Sequence, residues 1–314
     1  MEVVRGLDAL PLDGAPSVVT VGFFDGVHLG HRAVLRRTVE AARRRGFRSI
    51  AVTFDRHPRE VLAPGTEPRL LTGVERKAGL IEETGIDVLL VLEFTPEFSR
   101  MPAEAFLSEV LVGGLHARHA VMGANFTFGY RARGTVDWLI EAGPAYGLTA
   151  ERVELLVLDG RRVSSSSIRD ALASGDLRWP RRALGRRFVL DGTVIAGAGR
   201  GQGLGYPTAN LRTWPRLLLP AGGIYAGRAL VDGLDRPAAI DVGTNPTFGT
   251  EPLHVEAYLL DFEGQLVGRH MAVEFWARLR DEERFDSVEE LAAAIAEDVR
   301  RTRGLVQLGE GPGP

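Results

Sequence analysis

Two histidines in the stretch GFFDGVHLGH, His28 and His31, have types and spacing that suit chemistry at a phosphate. They follow a predicted strand over 17–24 and open a predicted helix over 31–46, so both imidazoles can face a ligand at the helix N-terminus. Free backbone N–H groups and the helix dipole favour an anion there. Such donors suit in-line displacement at phosphorus, because they stabilise the charge that grows on the phosphoryl and leaving oxygens.

Other interpretations of this pair stay open at this point. Either histidine could pack in the core or cap the helix, and H-x-x-H could contribute to a metal site. The glycines Gly26 and Gly30 of the same stretch would allow a nucleotide to approach the backbone closely. A second anion-binding pattern, VSSSSIRDAL over 163–172, brings four serines and Arg169 to the start of another helix.

The composition limits what the rest of the chain can be. Its 314 residues carry a formal net charge of -3, 45% hydrophobic residues and no cysteine. Disulfides, thiolate metal sites and cysteine nucleophiles are therefore excluded, and the near-neutral charge argues against nucleic acid as a partner. No apolar run is long enough to span a bilayer, so we expect no membrane partner and a cytoplasmic protein. The single lysine, Lys77, follows no glycine-rich loop, so a Walker-type P-loop is absent.

The first half of the chain alternates apolar strands with amphipathic helices. Strands are predicted over 17–24, 49–54, 86–92, 119–126 and 152–158. Helices are predicted near 31–46, 74–84, 102–112 and 135–146. This order, with near-continuous apolar strands, predicts an α/β fold with a Rossmann-like parallel sheet covered on both faces. Ligands of such sheets bind at the carboxyl ends of the strands, which is where the two histidines stand.

The pattern changes near residue 181, which gives two predicted domains, 1–181 and 182–314. Short strands separated by glycine and proline turns follow and predict a small antiparallel β-barrel. A terminal helix begins after Ser287, with glutamates in its first turn and arginines in its last. The tail 304–314 is predicted to be disordered, and the arginine-rich run 178–187 to be an interdomain segment with a solvated face.

The second half has its own motif, GAGRGQGLGYPTANL over 197–211. Its glycines permit a loop that wraps phosphates with backbone N–H groups, although a plain barrel turn would explain glycines as well. Thr208 and Asn210 then offer hard oxygen ligands that suit Mg²⁺ on ATP phosphates. Glu256, on a predicted strand, could accept the proton of a primary alcohol during phosphoryl transfer or could equally face solvent.

The first motif set resembles one known family. GFFDGVHLGH and SSSSIR resemble the H-x-G-H and S-S-[ST]-x-x-R signatures of nucleotidyltransferases, and TFDRHP and MGANFTFGYRARG resemble the N-terminal module of the prokaryotic bifunctional riboflavin kinase/FAD synthetase family. The resemblance implies FMN adenylyltransfer, in which ATP and FMN give FAD and pyrophosphate. It implies catalytic roles for His28 and His31 at the triphosphate. It also implies nucleotide or phosphate binding by Gly22, Phe24, Gly30, Asn125, Ser164 and Arg169.

The second motif set resembles the riboflavin kinase module of the same family, a compact barrel with a C-terminal helix. The resemblance implies that ATP phosphorylates the riboflavin 5'-hydroxyl, with Mg²⁺ as cofactor, Thr208 and Asn210 at Mg–ATP, and Glu256 as base. Phosphate binding is implied for Gly199, Gly201 and Gly205. ATP, riboflavin and FMN are thus the expected small-molecule substrates. The alternative function is a monofunctional nucleotidyltransferase with a flavin-sensing barrel, and homo-oligomer formation stays open.

The chain departs from the family pattern at a few positions. Arg56 stands in TFDRHP where the family usually has proline, and Ser167 stands where a larger or basic residue is frequent. The other departures are Gln202, Gly203, Tyr206, Gln265 and Val267. We expect them to tune flavin or nucleotide binding and not to remove a site.

Overall fold

The apolar runs of the first half form a parallel sheet in the computed structural model, which describes residues 1–10, 14–197, 200–203, 205–243 and 254–307. The chain divides into the units Met1–Ser164 and Ser165–Pro314, and the boundary near residue 181 stays a prediction. The strands of the first unit are β1 (Glu2–Arg5), β2 (Ser17–Val21), β3 (Arg48–Phe54), β4 (Val88–Leu92), β5 (Ala117–Gly123), β6 (Thr127–Phe128), β7 (Gly134–Thr135), β8 (Thr149–Val153), β9 (Val157–Leu158) and β10 (Arg161–Arg162).

Six of these strands form the sheet, in the order β1-β4-β3-β2-β5-β8, with every neighbouring pair parallel. All five residues of β2 are buried, because successive side chains point to opposite faces and both faces are covered. Val19 packs into one apolar cluster and Val18 into another. The predicted Rossmann-like α/β fold is therefore confirmed.

Helices connect the strands and supply this cover. In chain order they are α1 (Leu29–Arg45), α2 (Arg59–Leu62), α3 (Val74–Glu82), α4 (Pro96–Ser99), α5 (Ala103–Ala105), which a π-helix over Phe106–Gly114 continues, and α6 (Val136–Ala142). Helix α1 ends at Gly46, whose φ of 65° is the left-handed conformation that glycine adopts at low cost. No helix in the described ranges is long and apolar enough to cross a membrane.

Two features of the first unit differ from the sequence prediction. β1 was not predicted, since Val4 is the only buried residue of this edge strand. The strand predicted over 152–158 is wrong in its bounds: β8 ends at Val153, and β9 pairs with β10 in a separate hairpin. Leu155 and Val157 of that apolar run are exposed, so the run does not mark a buried strand.

The second unit is built around a closed antiparallel barrel. Its elements are α7 (Ser165–Ala173), α8 (Arg178–Leu184), β11 (Phe188–Ile195), α9 (Arg200–Gly203), β12 (Ala209–Thr213), β13 (Gly223–Val231), β14 (Leu234–Gly243), β15 (His254–Leu259), β16 (His270–Arg280) and α10 (Val288–Gln307). The barrel order is β11-β12-β15-β14-β13-β16, and β16 pairs back onto β11. The predicted barrel with a terminal helix is confirmed, although β12 was not predicted as a strand.

The ends of this unit correct two further expectations. Ser287 caps α10 by accepting a hydrogen bond from the Glu290 N–H, as predicted, but the helix continues through Gln307 into the segment predicted to be disordered. The remaining tail, 308–314, lies outside the described residues. The arginine-rich run contains α8, whose Trp179 and Leu184 are buried, so one of its faces is packed and not solvated.

Candidate active sites

The turn that carries the histidines lies where the strand order of the sheet reverses. β3 pairs with one edge of β2 and β5 with the other, so the segments after β2 and β5 flank the switch point, where ligands bind in such sheets. Phe24, Gly26 and Val27 have positive φ angles of 52°, 78° and 38°. The turn therefore reverses direction within a few residues before α1 begins.

Asp25 fixes this turn to the segment before α3. Its buried carboxylate accepts hydrogen bonds from the backbone N–H groups of Leu71 and Thr72, at 2.9 and 3.2 Å. The Gly26 N–H in turn donates to the Thr72 hydroxyl at 3.1 Å. A buried carboxylate is stable when hydrogen bonds satisfy it, and these bonds fix the centre of the turn.

His28 caps α1, an interpretation that the sequence left open. Its Nδ1 accepts a hydrogen bond from the His31 N–H at 3.2 Å, so the neutral ring carries its proton on Nε2. The two imidazoles are stacked, with centroids 3.5 Å apart and planes 16° from parallel, and the Phe24 ring meets His31 edge-on at 5.4 Å. Capping and stacking together orient both rings at the helix N-terminus.

The glycines of the motif make room for these rings. A Cβ on Gly30 would lie 3.2 Å from the His28 ring, and a Cβ on Gly22 would lie 2.9 Å from the Phe24 ring. A side chain at Gly22 would thus require the Phe24 ring to shift, and one at Gly30 would crowd the His28 ring. Their binding role, like that of Phe24, stays a prediction.

The remaining residues predicted for this site lie on different segments. Asn125 is exposed in the turn after β5, on the other side of the switch point from the histidines. Ser164 is the last residue of the first unit, and Arg169 lies in α7 of the second unit. Their predicted contacts with phosphates stay predictions.

Lys77 is a residue of this region that the sequence analysis did not assign to the site. Its side chain is buried in α3, and its Nζ donates to the Phe23 carbonyl at 3.2 Å and to the Thr53 hydroxyl at 3.3 Å. Burial lowers the pKa of Lys77 to about 8, against the opposite influence of the Asp25 and Asp55 carboxylates. The only sequence signal was that the chain has a single lysine.

In the barrel, three polar side chains occupy matching positions of adjacent strands. Asn210 on β12 lies opposite Glu256 on β15, which lies opposite Asp241 on β14. The Thr208 hydroxyl donates to Glu256 Oε2 at 2.7 Å, and His254 Nε2 lies 3.6 Å from the other carboxylate oxygen. The structure thus brings the predicted base and a predicted metal ligand into direct contact.

The glycine-rich segment before β12 packs closely against these residues. Gly197 approaches the Asn210 amide so closely that a Cβ would overlap it, and the Gly201 carbonyl accepts the Tyr206 N–H at 2.8 Å. Gly205 has a φ of 82°, which only glycine adopts readily. Gly199 lies outside the described residues, so the role predicted for it stays a prediction.

Among the described residues of the barrel, Asp241 is the carboxyl group whose pKa departs furthest from its ordinary value. Burial raises the pKa of Asp241 to about 7, and the nearby Glu282 and Glu256 carboxylates act in the same direction. Its Oδ1 is buried and has no hydrogen-bond partner among the described residues. The sequence analysis missed this group because the register that sets Asp241 beside Glu256 depends on pairing between distant strands.

Both regions contain groups suited to phosphate chemistry. The first offers imidazole donors at a helix N-terminus, and the second offers a carboxylate and an amide on adjacent barrel strands with a hydroxyl just before one of them. Within the described ranges, no three histidine, aspartate or glutamate side chains are placed to hold a metal ion by themselves. The histidine pair therefore gains no support as a metal site.

Comparison with known proteins shows which family the chain resembles over its whole length. A family model described as FAD synthetase matches residues 11–167, and one described as riboflavin kinase matches residues 184–306. A bifunctional riboflavin kinase/FMN adenylyltransferase of Pseudomonas fluorescens is 39% identical over 97% of this chain and 98% of its own length. The chain belongs to this family.

Other members and one solved structure extend the match. The bifunctional riboflavin kinase/FMN adenylyltransferase of Escherichia coli strain K12 is 35% identical over 98% of this chain and 99% of its own length. A crystal structure described as a macrolide-efflux protein from Streptococcus pneumoniae is 28% identical, with a TM-score of 0.87 over 96% of this chain and 99% of that one. Its description differs from those of the family models, whereas its fold is shared along almost the whole chain.

Four of the departures from the family pattern have a defined surrounding in the structure. Arg56 is exposed and pairs with Asp55 at 2.9 Å, and Ser167 accepts a hydrogen bond from the Trp179 indole at 3.2 Å. Tyr206 meets the Tyr258 ring edge-on at 5.3 Å, and Val267 is exposed. None of the contacts described for these four residues involves a predicted site residue.

Proposed function

We propose that this protein makes FAD from riboflavin in two steps. The barrel transfers a phosphoryl group from ATP to riboflavin and so makes FMN. The first unit then transfers the adenylyl group of a second ATP to FMN, giving FAD and pyrophosphate. The observation that carries the proposal is that two family matches occur in order along one chain, each over a region with groups for its own reaction. We also propose that the protein acts in the cytoplasm.

For adenylyl transfer, a phosphate oxygen of FMN attacks the α-phosphorus of ATP and pyrophosphate leaves, without a covalent enzyme intermediate. His28, with its proton on Nε2, and His31 stabilise the charge that develops on the phosphoryl and leaving oxygens. The N-terminus of α1 adds its dipole at the same place. Asn125, Ser164 and Arg169 bind nucleotide or phosphate, as the family resemblance implies.

For phosphoryl transfer, the chain's own residues bind and orient the substrates. Glu256 takes the proton of the riboflavin 5'-hydroxyl as that oxygen attacks the γ-phosphorus. The hydroxyl of Thr208 and the amide oxygen of Asn210 are hard donors, and with the adjacent Glu256 carboxylate they fit the oxygen preference of Mg²⁺. When bound, Mg²⁺ would neutralise charge on the ATP phosphates.

A product assay tests both steps at once. The purified protein is incubated with riboflavin, ATP and Mg²⁺, and the flavins are separated by chromatography; FMN and then FAD should form. If neither product forms, the proposal is wrong. FAD from supplied FMN without FMN from riboflavin would instead favour a monofunctional adenylyltransferase whose barrel only binds flavin.

A further inference from the structure

The turn between β2 and α1 has a backbone that its own residues do not favour. Phe24 and Val27 both have positive φ angles, 52° and 38°, although neither is a glycine and both side chains are buried. A β-branched residue such as Val27 is rarely found in this region. Such a conformation persists only where the surrounding structure over-determines it.

Contacts from two sides hold the turn in this conformation. Asp25 binds backbone N–H groups of the segment before α3, as described above. On the other side, the Lys77 ammonium donates to the Phe23 carbonyl and to Thr53, whose own hydroxyl donates to the same carbonyl at 3.1 Å. The ammonium also lies 4.3 Å from the centroid of the Phe23 ring, within range of a cation–π contact.

Two acidic side chains among the described residues act on the charge of Lys77. The carboxylate of Asp25 in the turn and that of Asp55 after β3 favour its protonated form, and Arg56 pairs with Asp55. His57 packs edge-on against the Phe23 ring, 4.8 Å away. A buried lysine is uncommon, and here two polar acceptors and two acidic residues account for its place.

We propose that Lys77 is a positioning residue for adenylyl transfer, whose ammonium fixes the turn that presents His28 and His31 without itself touching a substrate. This inference rests on the function proposed above for the first unit. Its chemical basis is that the ammonium adds a second donor to the Phe23 carbonyl and a donor to the Thr53 oxygen, and so joins α3 to the turn; a neutral apolar side chain would make neither bond. Loss of the ammonium would let the turn relax and displace both imidazoles.

The test replaces Lys77 in the full chain and measures the two activities separately. Lys77→Met has a similar volume, and Asp25 keeps its own backbone hydrogen bonds in this variant, so we expect it to fold. FAD formation from supplied FMN should fall by roughly 100-fold in kcat, the size of effect that a small misplacement causes, while FMN formation from riboflavin should not change. Leu80→Ala, a buried change in the same helix that keeps the ammonium, is the control and should preserve most FAD formation.

The pH profile separates positioning from a purely structural role. FAD formation by the wild-type protein should decline as pH rises past about 8, where Lys77 loses its proton. Lys77→Arg should keep FAD formation and move this decline to higher pH, because a guanidinium stays charged. If Lys77→Met does not fold, the Lys77→Arg profile decides the matter by itself.

Three results would overturn the role of Lys77. They are normal FAD formation by Lys77→Met at every pH, an equal loss of both activities in that variant, and an unchanged alkaline decline in Lys77→Arg. Failure of the proposed function is a different result, since the wild-type protein would then make no FAD from FMN.

Discussion

The two candidate sites differ in what holds their polar groups. In the turn after β2, the carboxylate of Asp25 and the ammonium of Lys77 are buried and bonded to neighbouring backbone. In the barrel, the exposed Thr208 hydroxyl is bonded to the Glu256 carboxylate, so two groups proposed to act on substrate satisfy each other. In the first site, Asp25 and Lys77 fix the backbone and are not proposed to bind substrate. In the second, the proposed function requires the hydrogen bond between Thr208 and Glu256 to be replaced by contacts with substrate.

The largest expected effect comes from removing the proposed base. Glu256→Gln keeps an oxygen that can accept the Thr208 hydrogen bond but cannot take a proton, so FMN formation should fall by about 10²–10⁴-fold. FAD formation from supplied FMN should be unchanged. Initial rates of both reactions on one preparation measure this, and a matching loss of FAD formation would show that the two sites are not independent.

His28 should give the reciprocal result. His28→Ser leaves a hydroxyl that can cap α1 but removes the imidazole donor, so FAD formation should fall by about 10²–10³-fold while FMN formation persists. His28→Ala would also lose the cap, at a cost of about 1 kcal/mol in stability. Comparing the two variants by kinetics and thermal unfolding separates the cap from the catalytic role. Full activity in His28→Ser would mean that the cap is all that His28 provides.

Asp241 should make the stability of the barrel depend on pH. Because burial raises the pKa of Asp241 to about 7, the folded chain binds more protons than the unfolded chain between about pH 4 and 7. Its contribution to the free energy of unfolding should therefore decrease as pH rises through this range, by roughly 4 kcal/mol at most. Asn cannot ionise, so Asp241→Asn should lack this decrease when both proteins are unfolded in urea at pH 5 and pH 8. If the free energy of unfolding changed equally with pH in the two proteins, Asp241 would not be the group responsible.

The smallest expected effect comes from an ion pair between α1, the helix that follows His28, and β8. Arg37 of α1 binds Glu151 of β8 through two hydrogen bonds of 2.6 and 2.7 Å, and the partly exposed pair is screened by water. Arg37→Met should therefore cost about 0.5–1 kcal/mol at pH 7 and leave FAD formation unchanged.

The same pair has a defined pH dependence. Burial opposes ionisation of Glu151, but hydrogen bonds from Arg37 outweigh it and lower the pKa of Glu151. The contribution of the pair should then be present above the ordinary glutamate range and be lost as pH falls through this lowered pKa. Thermal unfolding of both proteins at pH 7 and pH 3 measures it, and an equal loss at both values would assign the effect to packing of the arginine stem.

Much of the fold could be predicted because buried parallel strands leave nearly continuous apolar runs, as in β2 and β4. β1 and β12 were missed because an edge strand with one buried residue and a five-residue strand after a proline leave little pattern. The positions of His28 and Glu256 followed from motifs. The groups that support or perturb them, Lys77 and Asp241, could not be found, since only contacts between distant segments make them significant.

The hydrogen bond from the His31 N–H to His28 Nδ1 also constrains the number of residues between the two histidines. The start of the helix, the tautomer of His28 and the stacking of the two rings all depend on this bond, which forms only when the histidines are three positions apart. A substitution of Leu29 alters one side chain, whereas an inserted or deleted residue would change the helix start, the tautomer and the stacking together. This segment should therefore tolerate no change in length, even if Leu29 tolerates a change in residue type.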